Sequence, residues 1–220
     1  QFDPALGQRK LLDALQAASL ASWNAQDLPL AHAACAALLQ YAEHTQGRAL
    51  THISAVQVQR DGELIDLPPT TRRNLELVQT LRGEDAPTLF SLLDTCMTGM
   101  GSRMLKSWLL TPRRDRAQAQ ARLDAIATLR SGTIQSSSLA LWQGLRLQLK
   151  GSADVERITA RTALRQVRPR ELVALVVTLQ KTELLAQSLR GLEAYLANIA
   201  LDLAPPVDCA ALLLQAIAAE

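Results

Sequence analysis

The chain is poor in aromatic residues and in cysteine. Of its 220 residues, 3% are aromatic and three are cysteines, Cys35, Cys96 and Cys209, which lie far apart. So few aromatic side chains exclude a series of base-stacking platforms. Isolated cysteines exclude a disulfide framework or a Cys-x-x-Cys metal clip. We therefore expect buried reduced thiols, because an unpaired cysteine packs as a small hydrophobe.

The chain also lacks a strong net charge and a long apolar run. Its 23 Lys and Arg residues nearly balance 21 Asp and Glu residues, so overall attraction to a polyanion is weak and nucleic-acid affinity needs a local patch. No apolar run approaches the roughly 20 residues that span a bilayer, and the first residues do not resemble a secretory signal. We predict a soluble, cytoplasmic protein with no membrane contact.

Motifs for catalysis or nucleotide binding are missing as well. His32, His44 and His52 lack the spacing of a zinc-binding helix, and no glycine precedes a lysine, which a phosphate-binding loop of the G-x-x-x-x-G-K-[ST] kind requires. We predict no catalytic, cofactor-binding or metal-ligating residue in this chain. It is therefore not expected to be an enzyme by itself.

What the chain does contain is abundant alanine and leucine, which favour helices. In residues 92–110, LLDTCMTGMGSRMLKSWLL, apolar residues recur at steps of three and four, which predicts a buried helical face. The stretch is predicted to contain two helices, and Thr98 is the predicted N-cap of the second. The fold class is predicted to be mainly all-α, with several helices in one multihelical core.

Boundary residues predict where the other helices lie. The predicted helices are one from Pro29 to about Gly47, one from Thr70 or Thr71 to Gly83, one from Asp115 to Gly132, one over residues 153–166, and a long segment from Pro169 whose apolar stripe continues to Ile199. Alternation on both sides of Asp61-Gly62 predicts a short β-hairpin or an extended linker near residues 52–67.

Several long motifs, in a fixed order, resemble bacterial MutS-type DNA mismatch repair proteins. They are LAHAACAALLQYAEHTQGRALTHI, LPPTTRRNLELVQTLRG, TLFSLLDTCMTGMGSRMLKSWLLTPRRD, ARLDAIATLR and SADVERITARTALRQVRPRELVALVVTLQ. The resemblance implies three segments. Residues 1–47 would be the end of a connector domain, residues 48–69 an extended linker or hairpin, and residues 70–220 a helical core domain with its first lever segment, ending before the clamp.

The resemblance implies a non-catalytic core and lever fragment that couples an ATPase domain to the DNA-binding clamp and mismatch-reading domains. The parent protein would bind ATP and magnesium, act on mismatched duplex DNA, form a homodimer and meet a MutL-type repair partner near the bacterial nucleoid. The family's Phe-x-Glu mismatch wedge is absent, since Phe2 and Phe90 are followed by other residues. The alternative is a stand-alone helical adaptor or a weak nucleic-acid-binding module.

Two sets of charged residues are candidate contact sites. Arg157, Arg161 and Arg165 are spaced by four, so on one helix they would form a basic stripe able to contact a DNA backbone. The simpler interpretation, which we favour, is a solvated helix face with acidic partners nearby.

The second set consists of Arg72, Arg73 and Glu76, with Arg113 and Arg114 at a helix junction. By resemblance, these residues are candidates for contacts with other domains. Cations just past the end of a helix are also favoured by its dipole alone, so a partner is not required to explain the last two.

Overall fold

The structure is a computed structural model that describes residues 2–47, 50, 53, 55–58, 60–133 and 139–217. In this part of the chain the architecture is mainly α-helical, as predicted. The chain folds into two compact units, the first of residues 1–60 and the second of residues 61–220. The domain limits predicted from the sequence, near residues 47 and 69, stay predictions.

The first unit is a pair of helices, α1 (Pro4–Leu15) and α2 (Pro29–Gln46), packed closely along each other. The Asp3 carboxylate caps α1 by accepting hydrogen bonds from the backbone N–H groups of Ala5 and Leu6. Gly7 lies directly against the backbone carbonyl of His32, where a Cβ would clash. The core of this unit consists of Leu11, Leu20, Ala25, Leu39 and Leu50.

The second unit contains nine α-helices within the described residues. They are α3 (Pro69–Asn74), α4 (Leu89–Leu93), α5 (Gly99–Leu110), α6 (Arg116–Ser131), α7 (Leu141–Leu149), α8 (Val155–Ala163), α9 (Pro169–Leu189), α10 (Ala194–Asp202) and α11 (Val207–Ala216). Helix α9 is central, because α7, α8, α10 and α11 all pack on it. The core cluster, Ala125, Ala186, Leu189, Leu196 and Ala200, lies between α6, α9 and α10.

The prediction of one helix from Thr70 or Thr71 to Gly83 is wrong. Helix α3 ends at Asn74, and Glu76 has a left-handed backbone with φ of 45°. The Glu76 carboxylate accepts a hydrogen bond from the Leu81 N–H, and the Thr80 hydroxyl accepts one from the Glu84 N–H. Such local side-chain bonds compete with the helical pattern, so the chain turns instead of continuing.

The long segment after Pro169 is also divided, contrary to the prediction. Helix α9 ends at Leu189, Gly191 has a φ of 76°, and the Glu193 carboxylate caps α10. Glycine adopts this left-handed conformation without steric cost, so the apolar stripe is carried past a turn. Two other predicted helix starts agree with the structure, because α2 begins at Pro29 and α6 is capped by Asp115.

The described residues between 53 and 67 contain no paired strands. Asp61–Glu63 forms a single 3-10 turn, and Leu64 makes an isolated antiparallel bridge with Arg113. The hairpin alternative is therefore wrong for these residues, because the partner of Leu64 is the segment after α5. Residues 52, 54 and 59, which the prediction also covered, lie outside the described residues.

Two stretches pass a membrane-span test by length and composition, Pro169–Leu189 and Ala194–Ala216. Core helices of soluble proteins pass the same test, and α9 is the helix on which most of the second unit packs. The second stretch is not one helix, because Pro205 and Pro206 separate α10 from α11. The length and composition of these two stretches are therefore only weak evidence for a membrane segment.

Candidate functional site

An extensive polar contact between distant parts of the second unit is centred on Arg103. Its Nη1 and Nη2 atoms donate to the two carboxylate oxygens of Asp154 at 2.7 and 2.8 Å. Nη2 and Nε also donate to Glu156, at 2.5 and 3.2 Å. The paired bonds to Asp154 have the fork geometry that makes arginine and carboxylate an orientation-specific pair. Arg103 therefore ties α5 to the start of α8.

Asp154 has a second role in the same place, because it is the N-cap of α8. Its Oδ1 atom accepts a hydrogen bond from the Arg157 N–H at 3.2 Å, and its Oδ2 atom lies 3.6 Å from Arg157 Nε. The hydrogen bonds from Arg103 are the main cause that holds the pKa of Asp154 below its ordinary value, against a smaller opposing effect of desolvation. The bonds to Asp154 and Glu156 likewise raise the pKa of Arg103.

The residue before Asp154 connects this contact to α9. The Ala153 N–H donates to the Thr178 hydroxyl at 2.8 Å, and that hydroxyl donates to the Ala174 carbonyl at 2.8 Å. Thr178 is buried. One polar path thus runs from α5 through the start of α8 to α9. We call Arg103, Ala153, Asp154, Glu156 and Thr178 the α5–α9 junction.

The start of α5, with its Gly-Met-Gly-Ser sequence, is held by the chain's own side chains. The Thr98 hydroxyl caps it by accepting from the Gly101 N–H at 3.1 Å, as predicted. A Cβ on Gly101 would lie 3.2 Å from the Thr98 hydroxyl and 3.3 Å from Cys96 Cβ, so glycine permits this close approach.

An acidic side chain also lies at this helix start. The Asp94 carboxylate accepts from the Ser102 hydroxyl at 2.9 Å, which lowers the pKa of Asp94. Partial desolvation, followed by the neighbouring Asp94, raises the pKa of the Cys96 thiol. Cys96 and Cys209 are nevertheless exposed and Cys35 is half-buried, so the prediction of buried thiols is wrong. A carboxylate in this position repels a phosphate, which agrees with the absence of a phosphate-loop motif.

The predicted basic stripe is only partly formed. Arg157 and Arg161 lie on α8, but the helix ends at Ala163 and Arg165 has a left-handed backbone with φ of 52°. The expectation of one helix over residues 153–166 is therefore wrong at its end. Arg161 Nη1 pairs with Glu171 at 2.9 Å, and Arg157 lies near Asp154 as described above. Contact of these three arginines with DNA stays a prediction.

The candidates for contacts with other domains lie in two places. Arg72 and Arg73 line a cleft beside the turn that follows α3, and Arg73 donates to the Leu81 carbonyl at 3.3 Å. Arg113 and Arg114 hold the 63–65 segment: Arg114 Nε donates to the Leu64 carbonyl at 2.6 Å. All of these contacts are internal to the second unit. A contact of these residues with another domain stays a prediction.

The histidines and metal-ligating groups offer no alternative site in the part of the chain that is described. His32 is buried, and its Nε2 atom lies 2.7 Å from the Ala25 carbonyl in the first unit. No group of three His, Cys, Asp or Glu side chains is placed to hold a metal ion among the described residues.

Most of the junction is not visible in the sequence. The apolar periodicity of residues 92–110 predicts a buried face, and this prediction is wrong, because α4 and α5 contain no buried residue and Leu92, Met104 and Trp108 are exposed. Asp154 and Thr178 lie within a family motif, but nothing in that motif marks them as contact residues. Arg103 and Asp154 are 51 residues apart, so no local spacing connects them. The one available signal is an aspartate directly before a helical segment, which is typical of an N-cap.

Comparison with protein-family models gives two matches. The model of MutS domain III matches residues 70–220, and the model of MutS domain II matches residues 1–54. The first match covers more than half of the chain and contains the whole α5–α9 junction.

Proposed function

Because the chain belongs to the MutS family, we propose that it is the non-catalytic connector and core part of a mismatch-recognition ATPase in DNA mismatch repair. In this proposal the helical unit of residues 61–220 is a mechanical element. It couples the ATPase domain of the complete protein to its DNA-binding clamp and mismatch-reading domains. The family match supports the repair context, and the coupling role rests on the geometry of the junction.

The observation that carries the proposal is the continuous polar path of the α5–α9 junction. Helix α9 has 21 residues, so it extends over roughly 32 Å at about 1.5 Å per residue. A displacement of α5 is passed to α8 through the Arg103–Asp154 fork, and to α9 through the Ala153–Thr178 bond. The fork between arginine and carboxylate fixes an orientation, and networks of hydrogen bonds and ion pairs of this kind can carry coupling between remote sites.

The proposal also assigns partners by resemblance. The parent protein would bind ATP and magnesium, contact mismatched duplex DNA, form a homodimer and meet a MutL-type protein in the bacterial cytoplasm. No glycine in this chain precedes a lysine, so its own residues do not fit a phosphate-binding loop. The nucleotide would therefore be held by another domain.

The experiment replaces Arg103 by Gln in the complete parent ATPase. Mismatch binding without nucleotide and ATP hydrolysis without DNA should each stay within about twofold of the wild type, because neither site includes this residue. ATP-triggered release of the mismatched duplex should slow by about tenfold or more, since ~1.4 kcal/mol of lost coupling is a factor of ten. Arg190→Gln is the matched control, since its pair with Glu183 connects only residues at the end of α9. Unchanged release in Arg103→Gln would contradict the proposal.

Direct DNA binding by this chain is tested separately. If Arg157, Arg161 and Arg165 contact phosphates, duplex affinity should fall with salt, and Arg161→Glu should weaken it and reduce the salt slope. An affinity that Arg161→Glu does not change would remove these arginines from the DNA interface. It would leave the coupling proposal untouched, because that proposal depends on other residues.

A further inference from the structure

A cleft of about 480 Å³ lies between the start of α3, the end of α5 and the turn at residues 78–83. Its lining includes three arginines, Arg72, Arg73 and Arg82. Its apolar wall is made by Pro69, Leu81 and Leu110, among others. We call it the arginine cleft. It is separate from the α5–α9 junction, whose residues do not line it.

The charge of the arginine cleft is not balanced by the protein itself. No Asp or Glu lines it, and within the described residues none of its three arginines lies in an ion pair. The nearby Glu76 carboxylate is engaged by the Leu81 N–H at 2.7 Å. Arg72 Nε is buried and has no hydrogen-bond partner in the described structure. A buried donor without a partner is unfavourable. The three guanidinium groups together leave the cleft positively charged, and a carboxylate on a partner would neutralise that charge.

The wall that carries Arg82 is firmly built. The Thr80 N–H donates to the Glu84 carbonyl at 2.8 Å, and the Thr80 hydroxyl accepts from the Glu84 N–H at 3.0 Å. The Gln79 side chain donates to the Gly83 carbonyl at 2.8 Å. Gly83 has a φ of 86°, which suits glycine. The turn therefore presents its arginine from a fixed backbone, and ordering it on binding costs little.

Carboxylate on a polypeptide fits this cleft better than a nucleic-acid backbone does. Guanidinium groups pair with carboxylate and with phosphate alike, so charge alone does not decide. The apolar walls favour a carboxylate on a polypeptide over a phosphate, because they can contact the aliphatic stem of an acidic residue and its apolar neighbours. A duplex backbone stays solvated and needs cations spread along an open surface.

We propose that the arginine cleft is a docking site for an aspartate or glutamate side chain flanked by apolar residues on another polypeptide segment. The role of the contact rests on the proposed function, in which this core meets other domains. The binding itself does not depend on that function. The docking proposal extends the prediction for Arg72 and Arg73, because it names the chemistry of the partner and adds Arg82 to the contact.

The test is an NMR titration of the 15N-labelled chain, observing the arginine Nε–Hε signals. The probe is the peptide acetyl-Leu-Glu-Leu-amide, and acetyl-Leu-Gln-Leu-amide is the uncharged control. The proposal expects saturable shifts of the Arg72, Arg73 and Arg82 signals with the acidic peptide and none with the control. Arg72→Gln and Arg82→Gln should each weaken binding by about fivefold to tenfold. Arg130→Gln, at the end of α6 and outside the cleft, should leave it unchanged.

Two outcomes would overturn the proposal. One is the absence of saturable arginine shifts with the acidic peptide in a chain whose helical spectrum is native. The other is a 12-base-pair DNA duplex that shifts the same arginine signals while the peptide does not, because the cleft would then be a phosphate site. Arg82 is exposed on a turn, so Arg82→Gln remains informative if Arg72→Gln fails to fold. Peptide binding without any effect of Arg103→Gln on DNA release would overturn only the coupling function.

Discussion

Replacing Thr178 by valine isolates the link between the α8 start and α9. Valine has nearly the shape of threonine but no hydroxyl, so it fills the same buried space and removes the group that accepts from the Ala153 N–H and donates to the Ala174 carbonyl. The Ala174 carbonyl loses little, because it keeps its helical partner, the backbone N–H of residue 178. The substitution therefore breaks one step of the polar path without making a cavity.

The size of the effect follows from the burial of the two groups. Leaving a buried donor unsatisfied costs about 1–3 kcal/mol, and a solvated one costs less. Thr178 is buried, but Ala153 is only half-buried. Water can therefore replace part of the lost bond. We expect Thr178→Val to lower the free energy of unfolding of the second unit by about 1–1.5 kcal/mol.

Amide hydrogen exchange gives the decisive measurement. Protection of the Ala153 N–H should fall by about tenfold in Thr178→Val, since ~1.4 kcal/mol corresponds to a factor of ten. Thr178→Ser should keep this protection while losing about 1 kcal/mol of overall stability with its buried methyl group. Thr182→Val is the matched control, because the Thr182 hydroxyl donates only to the Leu179 carbonyl of its own helix. Equal protection of Ala153 in wild type and Thr178→Val would refute the reasoning.

Three further predictions concern other parts of the chain. The pKa of Asp154 is lowered from an ordinary 3.8, so its stabilising charge is complete above about pH 5 and is lost as the pH falls through the lowered pKa. The difference between the urea midpoints of wild type and Asp154→Asn should be constant between pH 6 and 8 and should shrink as the pH falls below 3.8. Leu196→Ala should lower the free energy of unfolding of the second unit by about 2–4 kcal/mol in a urea titration, because it leaves a cavity in the core. Leu201 lies on the same helix but is 74% exposed, so Leu201→Ala should change this free energy by less than about 0.5 kcal/mol. Gly7→Ala should destabilise the first unit by about 1–3 kcal/mol, because a Cβ meets the facing helix backbone, and Gly62→Ala, with open space around it, should be neutral in thermal melts.

The helical class and several helix starts could be predicted from the sequence because their causes are local. Pro29 and Pro169 begin helices since their fixed φ suits a first turn, and Thr98 and Asp115 cap helices through side chains that reach only two or three residues along the chain. The family match at residues 70–220 agrees with the resemblance carried by the long motifs. Interactions between residues close in sequence therefore explain most of the helix starts that were predicted correctly.

The wrong boundaries have a different origin. Apolar periodicity continues through residues 75–81 and 190–199, but the chain turns where Glu76 and Gly191 adopt positive φ. The pattern records where apolar residues recur and not which of them are buried, since Leu75 and Leu81 are both exposed. A turn between two helices can keep the same spacing. Periodicity alone therefore could not locate these ends.

The candidate site was the least predictable feature. The Arg103–Asp154 pair and the Ala153–Thr178 bond join residues 51 and 25 positions apart, and both depend on how α5, α8 and α9 pack. Arg157 and Arg161 are conspicuous through their regular spacing, which a solvated helix face produces as readily as a binding surface. Contacts set by tertiary packing leave no such spacing.

The tryptophans are divided between the two units in a way that provides separate optical signals. Trp23 packs against the core of the first unit, whereas Trp108 and Trp142 belong to the second. The guanidinium of Arg122 lies 3.8 Å from the centre of the Trp108 ring, which exposes that indole to a fixed positive charge. Fluorescence of a chain in which Trp23 is replaced by phenylalanine would report on the second unit alone, and the difference spectrum would report on the first.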